Sequence, residues 1–357
     1  MSVTQTQKNV FWLVFTLCLF YGIFILRDVL LPFVAGFFIA YFLEPSATIL
    51  EKKLHSRTWA LGLVFSIAAL FVLIALLIVV PLLERQIVLF VKNTPAYAAF
   101  IKAQIAPVLA KLSTAFPHQF ENIRNSVAEH MSEGVTIVSG TFKRILSGSM
   151  AVLNILSLIV ITPFVAFYLL RDWNEMTQDM LSLIPRDKEK TVRLLLRQIN
   201  GIISGFIRGQ ATVCLILGVY YAIGLTLAGL DLGLLIGLFI GAICFIPYVG
   251  STMGFLISTG LAVVQFGTWE RTIPVVVIFV LGQTVEGNFL TPKLIGDKVG
   301  LHPVWVMFAL LAGASLFGFL GVLIAVPTAA VIGVLVRFVI KEYKESALYE
   351  DVKETVQ

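Results

Sequence analysis

The residues able to do chemistry in this chain are few, and they sit in or beside long apolar stretches. Gln283 and Glu286 stand three positions apart in a run that reads as a helix, so one face carries an amide and a carboxyl together. Asn288 follows within the stretch "EGNFLTPKLIGDKVGLHP" (286–303), which also holds Pro292, Lys293, Asp297, Lys298 and His302. Arg208 and Gln210 open another apolar run, and Gln265 lies at the foot of a third. Polar groups inside apolar helices are costly and are read first as functional. Amides and a carboxyl along one face suit hydrogen bonding to a passing polar solute, and Glu286 has the chemistry to bind and release a proton or cation. The plainer alternative holds Glu286 at a membrane interface through Lys293 or Arg208. Arg208 divides between reaching lipid phosphates and clamping an anionic or hydroxyl-rich substrate. Asp231, at the far end of the helix that Arg208 opens, reads as interfacial.

Enzyme patterns are missing from the sequence. It has no H-E-x-x-H, no G-x-x-x-x-G-K-[ST], no G-x-S-x-G and no Cys/His metal spacing. His55, His118, His130 and His302 are scattered over different loops. A non-enzymatic protein with neither cofactor nor metal is expected.

What must position these residues is a membrane. The chain is 58% hydrophobic and only 13% charged, where a soluble domain carries roughly 25% charge. Uncharged runs fall at 10–26, 29–43, 59–83, 150–170, 209–230, 232–266, 272–285 and 304–336. Several exceed the ~18 residues of a spanning helix, and lipid leaves no water for open backbone groups, so an all-α multi-pass bundle is expected. Basic residues collect at 44–58, at 171–208 and after 336, which puts these segments and both termini in the cytoplasm. The net charge of +5 fits such loops and gives no reason to expect nucleic acid. Cys18, Cys214 and Cys244 lie in apolar runs, as buried thiols do.

Five segments follow. Residues 1–83 hold N-terminal transmembrane helices. Residues 84–149 form an amphipathic helical insert, expected outside the cytoplasm, with Pro95, Pro107 and Pro117 marking bends or helix starts. Its second part carries Ile123, Val127, Met131, Val138, Phe142 and Ile145 at helical spacing. Residues 150–208 combine a transmembrane helix with a basic amphipathic helix suited to a lipid surface. Residues 209–336 form a transport core, and 337–357 a cytoplasmic tail.

Two runs of that core are too long to span once. As straight helices, 232–266 and 304–336 would reach about 50 Å, against a hydrocarbon core of ~30 Å. Each has a break near its middle: Pro247, Gly250 and Gly254 in the first, Gly313, Gly318 and Gly321 in the second. Re-entrant hairpins with halves of about 15 residues are expected, one long kinked helix being the alternative. Helix 209–230 plus its hairpin then matches helix 272–290 plus its own, as two inverted units of the kind found in secondary transporters.

Taken in order, "PFVAFYLLRDW" (163–173), "IRGQ" (207–210), "FIPYVG" (245–250), "EGNFLTPKLIGDKVGLHP" (286–303) and "GFLGVLIAVP" (318–327) resemble the autoinducer-2 exporter family, the PerM-type predicted permeases of bacteria. The resemblance covers nearly the whole chain. It implies a multi-pass transporter of the bacterial inner membrane that assembles as a homo-oligomer among membrane lipids. Arg208 and Gln210 fall in the family's R-G-Q element, Pro247 and Gly250 in its I-P-Y-V-G, and Glu286, Asn288 and Pro292 in its [DE]-G-N-x-L-x-P. Some members are associated with export of autoinducer-2, a small polyhydroxylated furanone, and others with sodium/proton exchange. The expected function is a secondary permease for a small polar solute, coupled to protons or sodium. A cation/proton antiporter working through Glu286, or a non-transporting scaffold whose insert binds envelope partners, are the alternatives.

Overall fold

A computed structural model of the chain describes residues 29–115, 149–186, 189–247, 249–295 and 300–346, with single positions between 14 and 26 and Tyr349. Most of the run 10–26 therefore lies outside the described residues, as do Pro117, the second part of the insert, Asp297 and Lys298. Every described element is helical: α1 (Leu31–Leu54), α2 (Arg57–Ala115), α3 (Ser149–Ser182), α4 (Glu189–Leu227), α5 (Gly233–Ile243), α6 (Val249–Phe266), α7 (Trp269–Val285), a π-helical turn (Glu286–Leu290), α8 (Thr291–Leu294) and α9 (Pro303–Lys344). Among the described residues, six spans are long and apolar enough to cross a membrane. The protein is an all-α, multi-pass membrane protein.

Two helices run through limits the sequence suggests. With 59 residues, α2 carries the run 59–83 and the first part of the insert as one continuous helix. Pro95 and Pro107 start no helix; both lie inside it. A proline removes one backbone bond, whereas unwinding in apolar surroundings strips several groups of their partners. For the same reason the basic amphipathic segment and the run 209–230 join in the 39-residue α4.

The chain divides into two compact units, one of residues 1–67, 157–210 and 292–357, the other of 68–156 and 211–291. The stretch 209–336 is thus shared between them. In the first unit, Ala40 and Ala47 of α1, Leu61 and Val64 of α2, and Ala166 and Leu170 of α3 form a buried apolar core. Its α9 begins at "LHP", where the His302 ring nitrogen Nδ1 accepts the Val304 N–H at 3.3 Å and Pro303 takes the first turn. The helix then reverses at Gly318, whose φ of 58° and ψ of −136° suit glycine alone. A Cβ built on Gly313 would lie 2.5 Å from the Gly321 carbonyl oxygen, although eight residues of straight helix cover about 12 Å. At the open end, Arg337 Nη1 donates to the Gly300 carbonyl at 3.4 Å.

In the second unit the other long run breaks after Ile243, and Pro247 lies in the turn. Gly250 packs on the Cys244 backbone and Gly254 on Ile240, so α5 and α6 run antiparallel. Gln265 closes the open end: its Oε1 accepts the Asp231 N–H at 3.0 Å and its Nε2 donates to the Gly229 carbonyl at 2.8 Å. Gly233, Gly237 and Gly241 of α5 press on Leu225, Ala222 and Gly218 of α4, a small-residue stripe that brings two backbones together. In both runs the segments on either side of the break come into contact. The halves of the first are unequal rather than about 15 residues each: α5 has 11 and α6 has 18.

Candidate functional site

Arg208 marks a polar cavity inside the first unit. From the second turn of α1 onward, Phe37, Tyr41, Glu44, Thr48 and Glu51 recur every three or four residues and share one face. Arg208 on α4 meets that face twice. Its Nε donates to the Tyr41 carbonyl at 2.9 Å and its Nη2 to the Glu44 carboxylate. Thr48 Oγ1 donates to the other Glu44 oxygen at 3.0 Å. The Tyr41 hydroxyl donates to Asn200 Oδ1 at 2.8 Å, and its ring lies between Phe37 and Trp173 at centroid distances of 4.7 and 5.7 Å. A second guanidinium closes one side: Arg57 pairs with Glu51 at 3.0 Å and donates through Nε to the Leu170 carbonyl at 2.9 Å.

These groups line a cavity of about 330 Å³, within the range of small-molecule pockets. Its charged lining comprises Glu44, Glu51, Arg57 and Arg208, whose formal charges cancel. Donors and acceptors stand together beside a partly aromatic wall, a lining able to hydrogen-bond polar groups without a net charge of its own. Of the residues singled out from sequence, Arg208 alone lines it. The α1 stripe was missed because the stretch after residue 43 reads as a basic loop, whereas the helix continues through Pro45 to Leu54. The spacing of Glu44, Thr48 and Glu51 was the available signal.

The R-G-Q element has a packing role too. A Cβ on Gly209 would sit 2.7 Å from the Leu294 carbonyl oxygen, so this glycine lets α4 lie against the end of α8. Two of the sequence elements quoted above meet there. Gln210, beside it, is buried.

In the second unit, Gln283 and Glu286 do share a face: Gln283 Nε2 donates to Glu286 Oε2 at 2.8 Å. The same Nε2 approaches the Tyr221 hydroxyl at 3.5 Å, and that ring stacks on Phe279 at 4.6 Å. A Cβ on Gly282 would fall 2.8 Å from Tyr221 Cζ, so only glycine admits the ring. Gln283 is thus one hydrogen-bond partner of Glu286. Nor does the chain fray at Asn288. Residues 286–290 form a π-helical turn that leads into α8. Pro292 offers no N–H to the Asn288 carbonyl and crowds it, and a wider turn relieves both problems. Asn288 lies exposed on this turn.

Gln265 belongs elsewhere. It stands 18 residues before Gln283 in a chain that turns at Gly267 and then rises along α7, about 21 Å from Trp269 to Gln283. Its neighbour is Asp231, whose Oδ1 accepts from Gln265 at 3.2 Å. Asp231 Oδ2 accepts from Asn93 Nδ2 at 2.7 Å and from the Tyr97 hydroxyl. Asp231 is thus the anchor of a network, more than an interfacial charge. On the same face of α2, Gln86 Oε1 accepts the N–H groups of Leu234 and Leu235 at 3.1 and 3.4 Å, capping α5, whose own N-cap side chain makes no such bond. Polar spacing at 86, 93 and 97 is legible in the sequence as one helical face, though nothing there names its partner.

Residues 13–341 match the model of the family described as "AI-2E family transporter". YrrI of Bacillus subtilis (strain 168), named as a transport protein, is 29% identical over 311 residues, covering 87% of this chain and 86% of its own length. PerM of Escherichia coli (strain K12), named as a permease, is 26% identical over 317 residues, covering 88% of each. The protein sll0060 of Synechocystis, also named as a transport protein, is 31% identical over 222 residues, which are 62% of this chain and 58% of its own length.

Proposed function

The chain belongs to the AI-2E transporter family, and on that premise we propose that it is a secondary permease of the bacterial inner membrane exporting a small, neutral, hydroxyl-rich solute such as autoinducer-2. The charge-balanced cavity around Arg208 and Glu44 carries this reading. Two guanidinium groups, two carboxylates, Asn200 and the Tyr41 hydroxyl offer donors and acceptors to several hydroxyls at once. With two charges of each sign, the lining has no net charge to favour a cation or an anion. Arg208 and Glu44 grip the solute, and Trp173 and Phe37 cover its apolar faces.

We read both folded-back runs as re-entrant. The 11 residues of α5 reach about 16 Å, half of a ~30 Å core. Besides the cavity lining, we read Gln210 in the first unit, and Gln265, Gln283, Glu286 and Asn288 in the second, as further solute-facing groups; Gln265 also clasps its hairpin. Basic residues at Lys52, Lys53, Lys341 and Lys344 put both termini in the cytoplasm. Proton or sodium gradients drive the step.

The test is flux of radiolabelled autoinducer-2 into vesicles holding purified protein, with proton or sodium gradients imposed. Wild type accumulates the label, and Arg208→Ala and Glu44→Gln each cut the rate at least tenfold while remaining folded. Rates unchanged in both variants overturn the assignment. A second reading, cation/proton exchange, is favoured by Glu286, a carboxylate on a π-helical turn with an amide as its hydrogen-bond partner. It requires that Glu286→Gln abolish pH-driven sodium flux, and it falls if that flux is unaltered.

A further inference from the structure

The second unit contains a cavity that the reading above leaves unused. It measures about 750 Å³, also within the range of small-molecule sites. Its lining repeats the first cavity in kind. Arg271 and Glu270 supply a guanidinium and a carboxylate, Asn93 and Gln265 supply amides, and Tyr97 and Phe266 supply aromatic surface. The formal charges again cancel.

The walls of this cavity are built. Asp231 ties the α2 face to the start of the hairpin through Asn93 and Tyr97, and Gln265 ties the end of the same hairpin to it. Asp231, which accepts bonds on both carboxylate oxygens, is not among the lining residues and organises the walls from behind them. Glu270 and Arg271 are the reverse case. Both lie exposed in the first turn of α7, and neither joins an ion pair among the described residues. Their chemistry remains available for a guest.

We propose that this cavity is a second binding station for the same class of solute, a neutral hydroxyl-rich small molecule held between the Arg271 guanidinium and the Glu270 carboxylate. Tyr97 and Phe266 provide the apolar wall. The inference rests on the solute class assigned to the first cavity, and it adds that one chain holds the solute at two places of matching chemistry.

Equilibrium dialysis of purified full-length protein against radiolabelled autoinducer-2 tests it. Wild type binds two equivalents per chain. The double variant Glu270→Gln, Arg271→Ala binds one, and Arg208→Ala also binds one. The single variants Glu270→Gln and Arg271→Ala give the same reading should the double variant fail to fold, each weakening one of two sites at least tenfold. If wild type binds one equivalent and the α7 variants bind as wild type, this inference falls while the exporter reading stands. If wild type binds none, both fall together.

Discussion

Replacing Gly321 with alanine strikes at the fold-back of α9. The new Cβ would press on the Gly313 carbonyl group, 2.5 Å from its carbon, and come within 2.9 Å of Phe317 Cβ. Carbon atoms attract best at roughly 3.5–4.0 Å, so the two arms must part by about 1 Å. The obstacle at Gly313 is backbone and has no rotamer to escape into. Overpacking of this kind costs roughly 1–3 kcal/mol. Alanine is intrinsically the better helix former by up to ~1 kcal/mol, which offsets part of the clash. A contact this close belongs at the upper end of the range, leaving a net loss of about 2 kcal/mol. Gly201 in α4 is the control, because a Cβ there meets nothing within 4 Å. Gly201→Ala should stabilise by up to ~1 kcal/mol from propensity alone. Thermal unfolding of the purified protein in detergent, followed by circular dichroism, reads both. The expected result is a lower midpoint for Gly321→Ala and an equal or higher one for Gly201→Ala. Should Gly321→Ala rise alongside Gly201→Ala, the arms do not touch and the hairpin argument is refuted.

Gln265→Leu deletes three hydrogen bonds at the open end of the α5–α6 hairpin and leaves Asp231 short of partners, at a cost of about 1–3 kcal/mol. Hydrogen exchange should quicken in α5 while α9 keeps its protection; equal quickening in both would mean that Gln265 is no local clasp. With Cys18, Cys214 and Cys244 replaced by serine, single cysteines at Thr268 and Lys344 should react with membrane-impermeant maleimide from opposite sides. Labelling of Thr268→Cys from the cytoplasmic side would remove the re-entrant reading.

Much of this protein is readable without coordinates because lipid imposes one rule on every segment. Uncharged runs longer than a bilayer is thick must be helices, and those far too long must bend where glycine and proline permit it. Pro247, Gly318 and the glycines at 250, 254, 313 and 321 were identifiable on that ground, and each lies at or beside a reversal. The Gln283–Glu286 pair was identifiable from spacing, since residues three apart on a helix are neighbours whatever surrounds them. Where helices end was less legible. Charge and proline at 84–107 and at 188–208 imitate a boundary, and local sequence does not carry the cost of leaving backbone groups open in an apolar setting.

Partners across the chain belong to tertiary structure alone. The sequence shows an arginine at 208 and a glutamate at 44, but 164 residues separate them, and no periodicity reports their ion pair. The same holds for Asp231 with Tyr97, 134 residues apart, and for Gln86 capping a helix 148 residues away. Helical spacing determines which side chains share a face, because it is a property of one backbone. Which faces then meet depends on packing all the helices together, and that packing turned scattered polar residues into two charge-balanced cavities.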